Sequence, residues 1–599
     1  MNQLNEWKCV RKVFRPLSLF SPLALLVPTL CVGTQVLDDA SSRADESKAP
    51  PAQPAARARF AEVARQRGVE FEHFDPVTDR QYISETIGSG AGWIDFDADG
   101  HLDLVLLNSA PMPGGKKPDR SPLNAIFRNR GDGSFDDACD RAWQSGPGFG
   151  QGCAVGDFDN DGFDDLFLSY YLDPNRLYLN NGDGTLSEIG QRAATTGIAE
   201  DKPATDKWSS SSAFGDLDGD GDVDLYVCNY VSMPLGDDYP FCGDKRRNIR
   251  TVCSPAKFPG QPDDVVENVG DGTFRDASEA WGFGQRAGDR GQESDGRGLG
   301  VVIADLDEDG LPDVYVANDL SPNLLYRNLG GGRFREEGLL AGCALSADGK
   351  AQAGMGVDVG DVDGDGRPDI FVTNYFREPN SLFHNSGRGQ FREISARSGL
   401  GRPSFLKLGF GCGFFDADND GHLDVFVANG HIDRNPEAHG TPEPYRQPAQ
   451  LFLGNGQARF QGITDASAGS YLQEPHVGRA AAFADFDNDG RMDLAVNHNG
   501  EPAALLRNES PGGHWLRIML VGSASNRGGV GTRVTAAAGD RRHMYQLAGG
   551  RSYLSAHDPR LLIGLGTEKV VERLEIRWPN GKIKMLTDLP ADQTIVVRE

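Results

Sequence analysis

The sequence predicts an all-β chain, a seven-bladed β-propeller followed by a small C-terminal β domain. Three observations carry this reading. A nine-residue pattern, Asp-x-Asp-x-Asp-Gly-x-x-Asp, recurs seven times. Each copy runs into a short apolar stretch rich in β-branched and aromatic residues, and in most units an Asn/Gly turn between two more such stretches follows. The copies start 62, 59, 89, 56, 55 and 69 residues apart, the size of one four-stranded blade.

The chain begins with what reads as an export signal over residues 1–33. Lys8, Arg11, Lys12 and Arg15 precede the apolar PLALLVPTLCVG. Pro16, Pro22 and Pro28 interrupt it, which makes it a poor membrane span, and PTLC lacks the small residues of a lipidation site before Cys31. Residues 34–59 are rich in Pro, Ala, Ser and charge, the composition of a disordered linker. The expected compartment is therefore extracytoplasmic (secreted, periplasmic or cell-surface), with no membrane span in the mature chain.

Residues 60–510 hold the repeats. DFDADGHLD starts at Asp95, DFDNDGFDD at Asp157, DLDGDGDVD at Asp216 and DLDEDGLPD at Asp305. DVDGDGRPD starts at Asp361, DADNDGHLD at Asp416 and DFDNDGRMD at Asp485. Strand-like runs such as LVLLN, LYVCN and IFVTN follow, then hairpins such as AIFRNRGDGSF. The long third unit carries its surplus mainly between Val231 and Pro262. Six units end in a last strand starting at Phe135, Leu186, Phe274, Phe334, Phe391 and Phe460, and the seventh has none. FAEVARQRGV at 60–69 matches FREISARSGL at 391–400. Residues near Phe60 are therefore expected to supply the outer strand of the seventh blade, which removes an open edge.

Crowded carboxylates repel one another unless a cation sits among them. Hard divalent cations take oxygen ligands, and calcium accepts six to eight at flexible geometry. A helix-loop-helix calcium hand starts with the same letters but needs a glutamate at its twelfth position. Here that position is Leu106, Leu168, Val227, Val316, Val372, Val427 or Val496, each inside a predicted strand. The hand is excluded, and a β-loop site closed by the ninth-position aspartate remains.

These loops, in seven such units, resemble the FG-GAP or VCBS repeats of integrin α-type propellers. The resemblance implies calcium held by the first, third, fifth and ninth carboxylates and the seventh carbonyl, up to seven ions at one per blade. In the first loop these are Asp95, Asp97, Asp99 and Asp103 with the carbonyl of His101. The second has Asp157, Asp159, Asp161 and Asp165 with Phe163, and the third Asp216, Asp218, Asp220 and Asp224 with Asp222. The fourth has Asp305, Asp307, Asp309 and Asp313 with Leu311, and the fifth Asp361, Asp363, Asp365 and Asp369 with Arg367. The sixth has Asp416, Asp418, Asp420 and Asp424 with His422, and the seventh Asp485, Asp487, Asp489 and Asp493 with Arg491. Four aspartates in each of seven loops make 28, against a formal charge of -27. The acidity is largely the loops, and it excludes nucleic acid as a partner.

Residues 511–599 read as a separate β domain, through HWLRIMLVG, TRVTAAAG, LLIGLG and RLEIRWPNGKI. NRGGVGTRV, GGRSYLS, LLIGLG and IRWPNG resemble the ASPIC/UnbV domain, and its union with these repeats resembles the cartilage acidic protein family. That resemblance implies an extracellular, calcium-binding, non-catalytic protein whose partners are proteins or glycans, and a monomer is expected. Cys242 and Cys253 bracket part of the third-unit insertion and are expected to form a local disulfide. Cys153, Cys228 and Cys412 read as small core thiols, while Cys139 and Cys343 have no assignment.

No GxSxG elbow, HExxH, phosphate loop or CxxC pair is present, and the eleven histidines are scattered along the chain. The alternative function is an extracytoplasmic lyase- or hydrolase-like propeller enzyme acting on a polysaccharide. Its discriminating feature is a convergence of His, Glu and Arg in the axial funnel. His431, with Asp433 and Arg434 in the unit-six insertion, could line a pocket, but a satisfied surface loop is the favoured reading. The long connections 231–262 and 430–449 are the candidate ligand surfaces.

Overall fold

A computed structural model describes residues 58–599 apart from 119–120, 144, 190–206, 271, 284–295, 437–439 and 465. The export signal and nearly all of the linker lie outside the described residues.

The repeat units form seven antiparallel four-stranded sheets. In the second, strands Phe149–Gly156, Asp165–Tyr171, Arg176–Asn180 and Leu186–Glu188 pair in sequence order, and the other sheets follow the same plan. The first strand of each sheet packs against the first strand of the next, and that of the seventh, Gly478–Ala484, packs against Ala91–Ile94 of the first. The ring is closed.

Because each sheet has a neighbour on both faces, alternate side chains of one strand enter two different cores. Seven such cores exist, one between each adjacent pair of sheets. Ile94, Val105, Cys153, Leu166 and Tyr178 fill the one between sheets one and two. Trp93, Leu104, Ala482 and Phe486 belong to the one between sheets seven and one. This explains why the strand runs are apolar at consecutive positions rather than alternating.

The seventh sheet takes its outer strand from the front of the chain. Phe60 pairs with Asn508, Ala61 with Arg507 and Glu62 with Leu506. Phe60 is buried and lies edge-on to Phe415, with ring centres 6.2 Å apart. The first and last repeats thus share one sheet, as the missing tail of the seventh unit predicts.

The C-terminal residues build two further sheets. Leu561–Gly566, His514–Val521 and Gln593–Arg598 form one, and Arg541–Gln546, Arg533–Ala538, Val570–Arg577 and Ile583–Pro590 the other. Their core includes Leu516, Ile518, Val534, Leu574, Ile576 and Trp578. They sit over the face of the ring that carries the aspartate loops. Gly513 N–H donates to Asp418 O at 3.1 Å, Gly566 N–H to Asn419 O at 2.8 Å and Arg527 N–H to Asn160 Oδ1 at 2.8 Å.

Between its strands this domain sends residues 547–558 down the axis of the ring. Gly549 exchanges backbone hydrogen bonds with Ile303 of sheet four, and Ser552 does so with Val357 of sheet five. Ser552 Oγ accepts from Cys412 N–H at 3.0 Å and donates to Ala481 O at 2.9 Å, reaching sheets six and seven. Leu554 N–H donates to Ser211 Oγ of sheet three at 2.9 Å, and Ser555–Ala556 run parallel to Ala91–Gly92 of sheet one. Sheet two meets the segment at Gly152, where a Cβ would lie 3.1 Å from Leu554 Cα. One segment therefore touches the inner strand of every sheet, and Gly92 and Gly152 make room for it in the first two.

Tyr553 and Leu554 are fully buried. Beyond them Trp208, Tyr230, Tyr239 and Phe258 belong to the apolar cluster that closes the other end of the axis. The insertion 231–262 supplies part of that cluster and is stapled by the Cys242–Cys253 disulfide. The axial funnel is filled by the chain itself.

Candidate metal centres

Each aspartate loop joins the first strand of a sheet to the second. The sixth-position glycines Gly100, Gly162, Gly221, Gly310, Gly366, Gly421 and Gly490 all have φ between 84° and 101°, a conformation that strains any residue with a Cβ. The fourth positions, among them Asn160, Asn419 and Asn488, also have positive φ. This double reversal turns the loop back on itself and gathers its carboxylates.

The ninth-position aspartate opens the second strand in every sheet, and both its oxygens accept backbone amides. In the first loop, Phe96 N–H donates to Asp103 Oδ2 at 3.1 Å and Asn129 N–H to Oδ1 at 2.7 Å. The same pair of bonds holds Asp165, Asp224, Asp313, Asp369, Asp424 and Asp493. The first-position aspartate accepts the sixth-position amide, as in Gly162 N–H to Asp157 Oδ2 at 2.8 Å and Gly421 N–H to Asp416 Oδ2 at 2.7 Å. The third and fifth carboxylates stand beside it. Single oxygens of Asp157, Asp159 and Asp165 lie within 4.8 Å of one another, as do those of Asp95, Asp97 and Asp99, and of Asp216, Asp218 and Asp220.

As protein alone this arrangement is electrostatically unfavourable. Burial raises Asp103 and Asp165 to about 9, and the other loop aspartates push in the same direction. Burial likewise raises Asp157 and Asp361 to about 7 and Asp216 and Asp305 to about 6. A divalent cation would offset these shifts by favouring the ionised carboxylates. The donors are all oxygens and number up to five in each loop, a set that fits the adaptable coordination of calcium better than the strict octahedron of magnesium.

The seven loops are not equivalent. In the first, fourth and seventh an arginine from the third strand reaches in. Arg128 pairs with Asp97 and Asp99, Arg327 with Asp307, and Arg507 with Asp487. In the fifth, His384 Nδ1 lies 3.0 Å from Asp369 Oδ1. The second and sixth present Leu179 and Leu453 at the corresponding position, and the third presents Glu267. The C-terminal domain also touches the seventh loop directly, with Arg517 Nη1 donating to Asp485 Oδ2 at 2.6 Å.

In every sheet but the sixth, where Gly454 takes its place, an asparagine that the repeat pattern does not single out ends the third strand and acts as a positioning residue. Asn129 Nδ2 donates to Phe486 O at 2.8 Å, Asn268 Nδ2 to Phe158 O at 2.7 Å and Asn385 Nδ2 to Leu306 O at 2.9 Å. Each such bond ties one sheet to the aspartate loop of the preceding sheet. Its signal lay in the recurrent Asn before the GDG turn, which reads as turn chemistry alone.

The arrangement of sheets and loops agrees with a comparison of sequences. The FG-GAP-like repeat model matches residues 95–168, 157–227, 305–372, 361–427 and 416–496. The chain belongs to the FG-GAP-like repeat proteins. A second model, ASPIC and UnbV, matches this FG-GAP-like protein at residues 522–599. Cartilage acidic protein 1 of Mus musculus is 26% identical over 499 residues, covering 72% of this chain and 71% of the relative. Its Xenopus tropicalis counterpart is 25% identical over 488 residues, covering 72% and 70%. Among solved structures, an Agrocybe aegerita lectin that recognises non-reducing terminal N-acetylglucosamine covers 64% of this chain and 88% of its own at 16% identity. Its TM-score is 0.37, too low to bear on function.

His431 and Asp433 are buried rather than on a surface loop, and Arg434 Nη1 donates to Asp75 Oδ2 at 2.7 Å. The unit-six insertion folds inward because His431 packs against Tyr375 and Phe376. Cys153, Cys228, Cys343 and Cys412 are buried free thiols, and Cys139 is a half-buried one. Among the described residues no helix is long and apolar enough to cross a membrane.

Proposed function

We propose that this FG-GAP-like protein is an extracytoplasmic calcium-binding propeller that acts as a non-catalytic interaction module for proteins or glycans. The observation that carries it is the repeated loop. Seven complete aspartate sets share one amide-clamped geometry, and burial drives their first- and ninth-position carboxylates toward protonation unless a cation is bound. The first, third, fifth and ninth aspartates of each loop, with the seventh carbonyl, would hold the ion, up to seven in all. Bound calcium would neutralise the loop, and the amide clamps on the first and ninth aspartates would keep the ligands in place.

The C-terminal domain covers the loop face, so the ligand surface in this reading is the opposite face, with insertions 231–262 and 430–449. The filled axis supports a binding role over a funnel-borne polysaccharide active site. Each saturated ion stabilises the native state by about 2.7 kcal/mol when calcium stands at about 100 times its dissociation constant. Chelation is therefore expected to lower the melting temperature clearly, and magnesium to restore little of it. An unchanged melting curve in excess chelator rejects the calcium reading. Capture of extracellular proteins or glycans by the intact chain, lost when the 231–262 insertion is shortened, tests the ligand face.

A further inference from the structure

Three histidine-bearing segments that are far apart in sequence meet on the face away from the aspartate loops. His498 ends the strand Asp493–His498, whose other end starts at the seventh loop. His476 lies in the two-residue strand Pro475–His476, paired with Gln447–Pro448 of the unit-six insertion. Glu501 follows the turn after His498, and His73 of the N-terminal segment lies behind, its Nδ1 accepting Gly500 N–H at 3.2 Å. The rings of His476 and His498 stack at 4.7 Å and 13°. A nitrogen of each ring and a Glu501 carboxylate oxygen lie within 4.8 Å of one another.

Hydrogen bonds fix how these groups present their lone pairs. His498 Nδ1 lies 2.6 Å from the carbonyl oxygen of Pro502, which can only accept, so Nδ1 carries the proton and Nε2 the lone pair. That Nε2 faces the Tyr471 hydroxyl at 2.9 Å. His476 Nδ1 faces Glu501 Oε2 at 3.2 Å. His476 Nε2 is buried and has no partner. Arg446 holds the other oxygen of Glu501. Burial lowers His498 to about 4. Burial alone would raise Glu501, but hydrogen bonds from His476 and Arg446 outweigh it and hold the carboxyl at about 2. A neutral His498 and an ionised Glu501 are in the protonation states metal ligation needs.

We propose that His476, His498 and Glu501 form a second kind of metal site, for one borderline transition-metal ion of the zinc class. Two imidazoles and a carboxylate are a donor set for zinc, whereas calcium and magnesium take oxygen ligands almost alone. The Pro502 carbonyl is the outer partner that orients His498, the usual support of a metal-bound imidazole. Binding replaces the Tyr471 contact at His498 Nε2 and displaces to solvent the proton between His476 Nδ1 and Glu501 Oε2, whose 3.2 Å separation suits two ligands of one ion. The side chain of His476 is 23% exposed, which gives the ion an entry and leaves the fourth position to water. This site does not depend on the calcium reading of the loops.

The test uses the full mature chain, stripped with chelator and then held in millimolar calcium so that hard-cation sites are saturated. Cobalt(II) and zinc are titrated in, following bound metal and the visible absorption of tetrahedral cobalt. One equivalent is expected, retained in excess calcium, with a cobalt spectrum that zinc abolishes. Glu501→Gln and His476→Ala are each expected to weaken zinc by more than about 100-fold and to leave calcium stoichiometry unchanged. Crystals of the unmodified chain soaked in zinc are expected to show an anomalous peak beside His498 at the zinc edge, which needs no substitution. Zinc that calcium displaces, zinc uptake unaltered in the folded variants, or a peak only at the aspartate loops overturns the proposal.

Discussion

Replacing Arg551 with alanine removes the one cation that the axial segment carries into the ring. Its Nε donates to Asp358 Oδ1 at 2.6 Å and its Nη2 to Asp358 Oδ2 at 2.8 Å, with a third bond to Phe414 O at 3.0 Å. Asp358 is fully buried in the first strand of sheet five. Removing one partner of a buried ion pair costs about 3–5 kcal/mol, because the other charge is left unpaired. Here Asp358 keeps two amide donors, Val359 N–H at 2.8 Å and Phe414 N–H at 2.6 Å, and Arg551 is 26% exposed. These place Arg551→Ala at the lower end, about 3 kcal/mol. Urea unfolding of Arg551→Ala, Asp358→Ala and the double variant, at saturating calcium, closes the cycle. The double variant is expected to be more stable than the sum of the two losses by about 2 kcal/mol. Additivity within about 0.5 kcal/mol, or a loss that small for Arg551→Ala, would refute the idea that this pair anchors the segment.

Asp363→Ala is expected to remove one calcium by titration and to leave the ring folded, because the loop's ninth-position clamp at Asp369 is untouched. Deleting residues through Val69 takes away the strand at Phe60 together with buried Val63, Ala64 and Val69. The product is expected to aggregate, whereas a chain cut before residue 56 melts normally; equal melting of the two rejects the closure. Burial raises Glu85 from 4.5 to about 7, so the native state holds a proton that the unfolded chain releases, and stability falls as pH rises through that window. Glu85→Gln is expected to gain on the wild type by up to about 3 kcal/mol between about pH 5 and about pH 8, read from urea midpoints. A constant difference across that range counts against the raised carboxyl.

What the sequence made legible is what repeats. The positive-φ glycines, the ninth aspartates that open strands and the exchange at Phe60 all follow from local pattern counted seven times. The stapled insertion at Cys242 and Cys253 followed from spacing. Missed features depend on single tertiary encounters. GGRSYLS has the composition of a loop in its own small domain, and nothing periodic says that Ser552 and Leu554 belong inside the ring. His476 and His498 stand in unrelated contexts, EPHVG and VNHNG, and become neighbours only because strand end and insertion pack together. The context of His431 favours a surface loop, as insertions usually form, but its neighbours Tyr375 and Phe376 draw it in.

The axial segment also bears on the order in which the chain can be finished. The inner strands of a ring present their free edges to the axis, and residues 549–556 hydrogen-bond to them at Ala91, Ile303 and Val357. Their seat is complete only when the strand at Ala91, made first, and the strand at Ala481, made last, stand side by side. A chain growing from its N-terminus exposes that seat before it makes the segment that fills it. Insertion of the segment is thus a readout of assembly, since a ring lacking or misplacing one unit offers the wrong circumference. A single short stretch near the end of the chain inspects every repeat that preceded it.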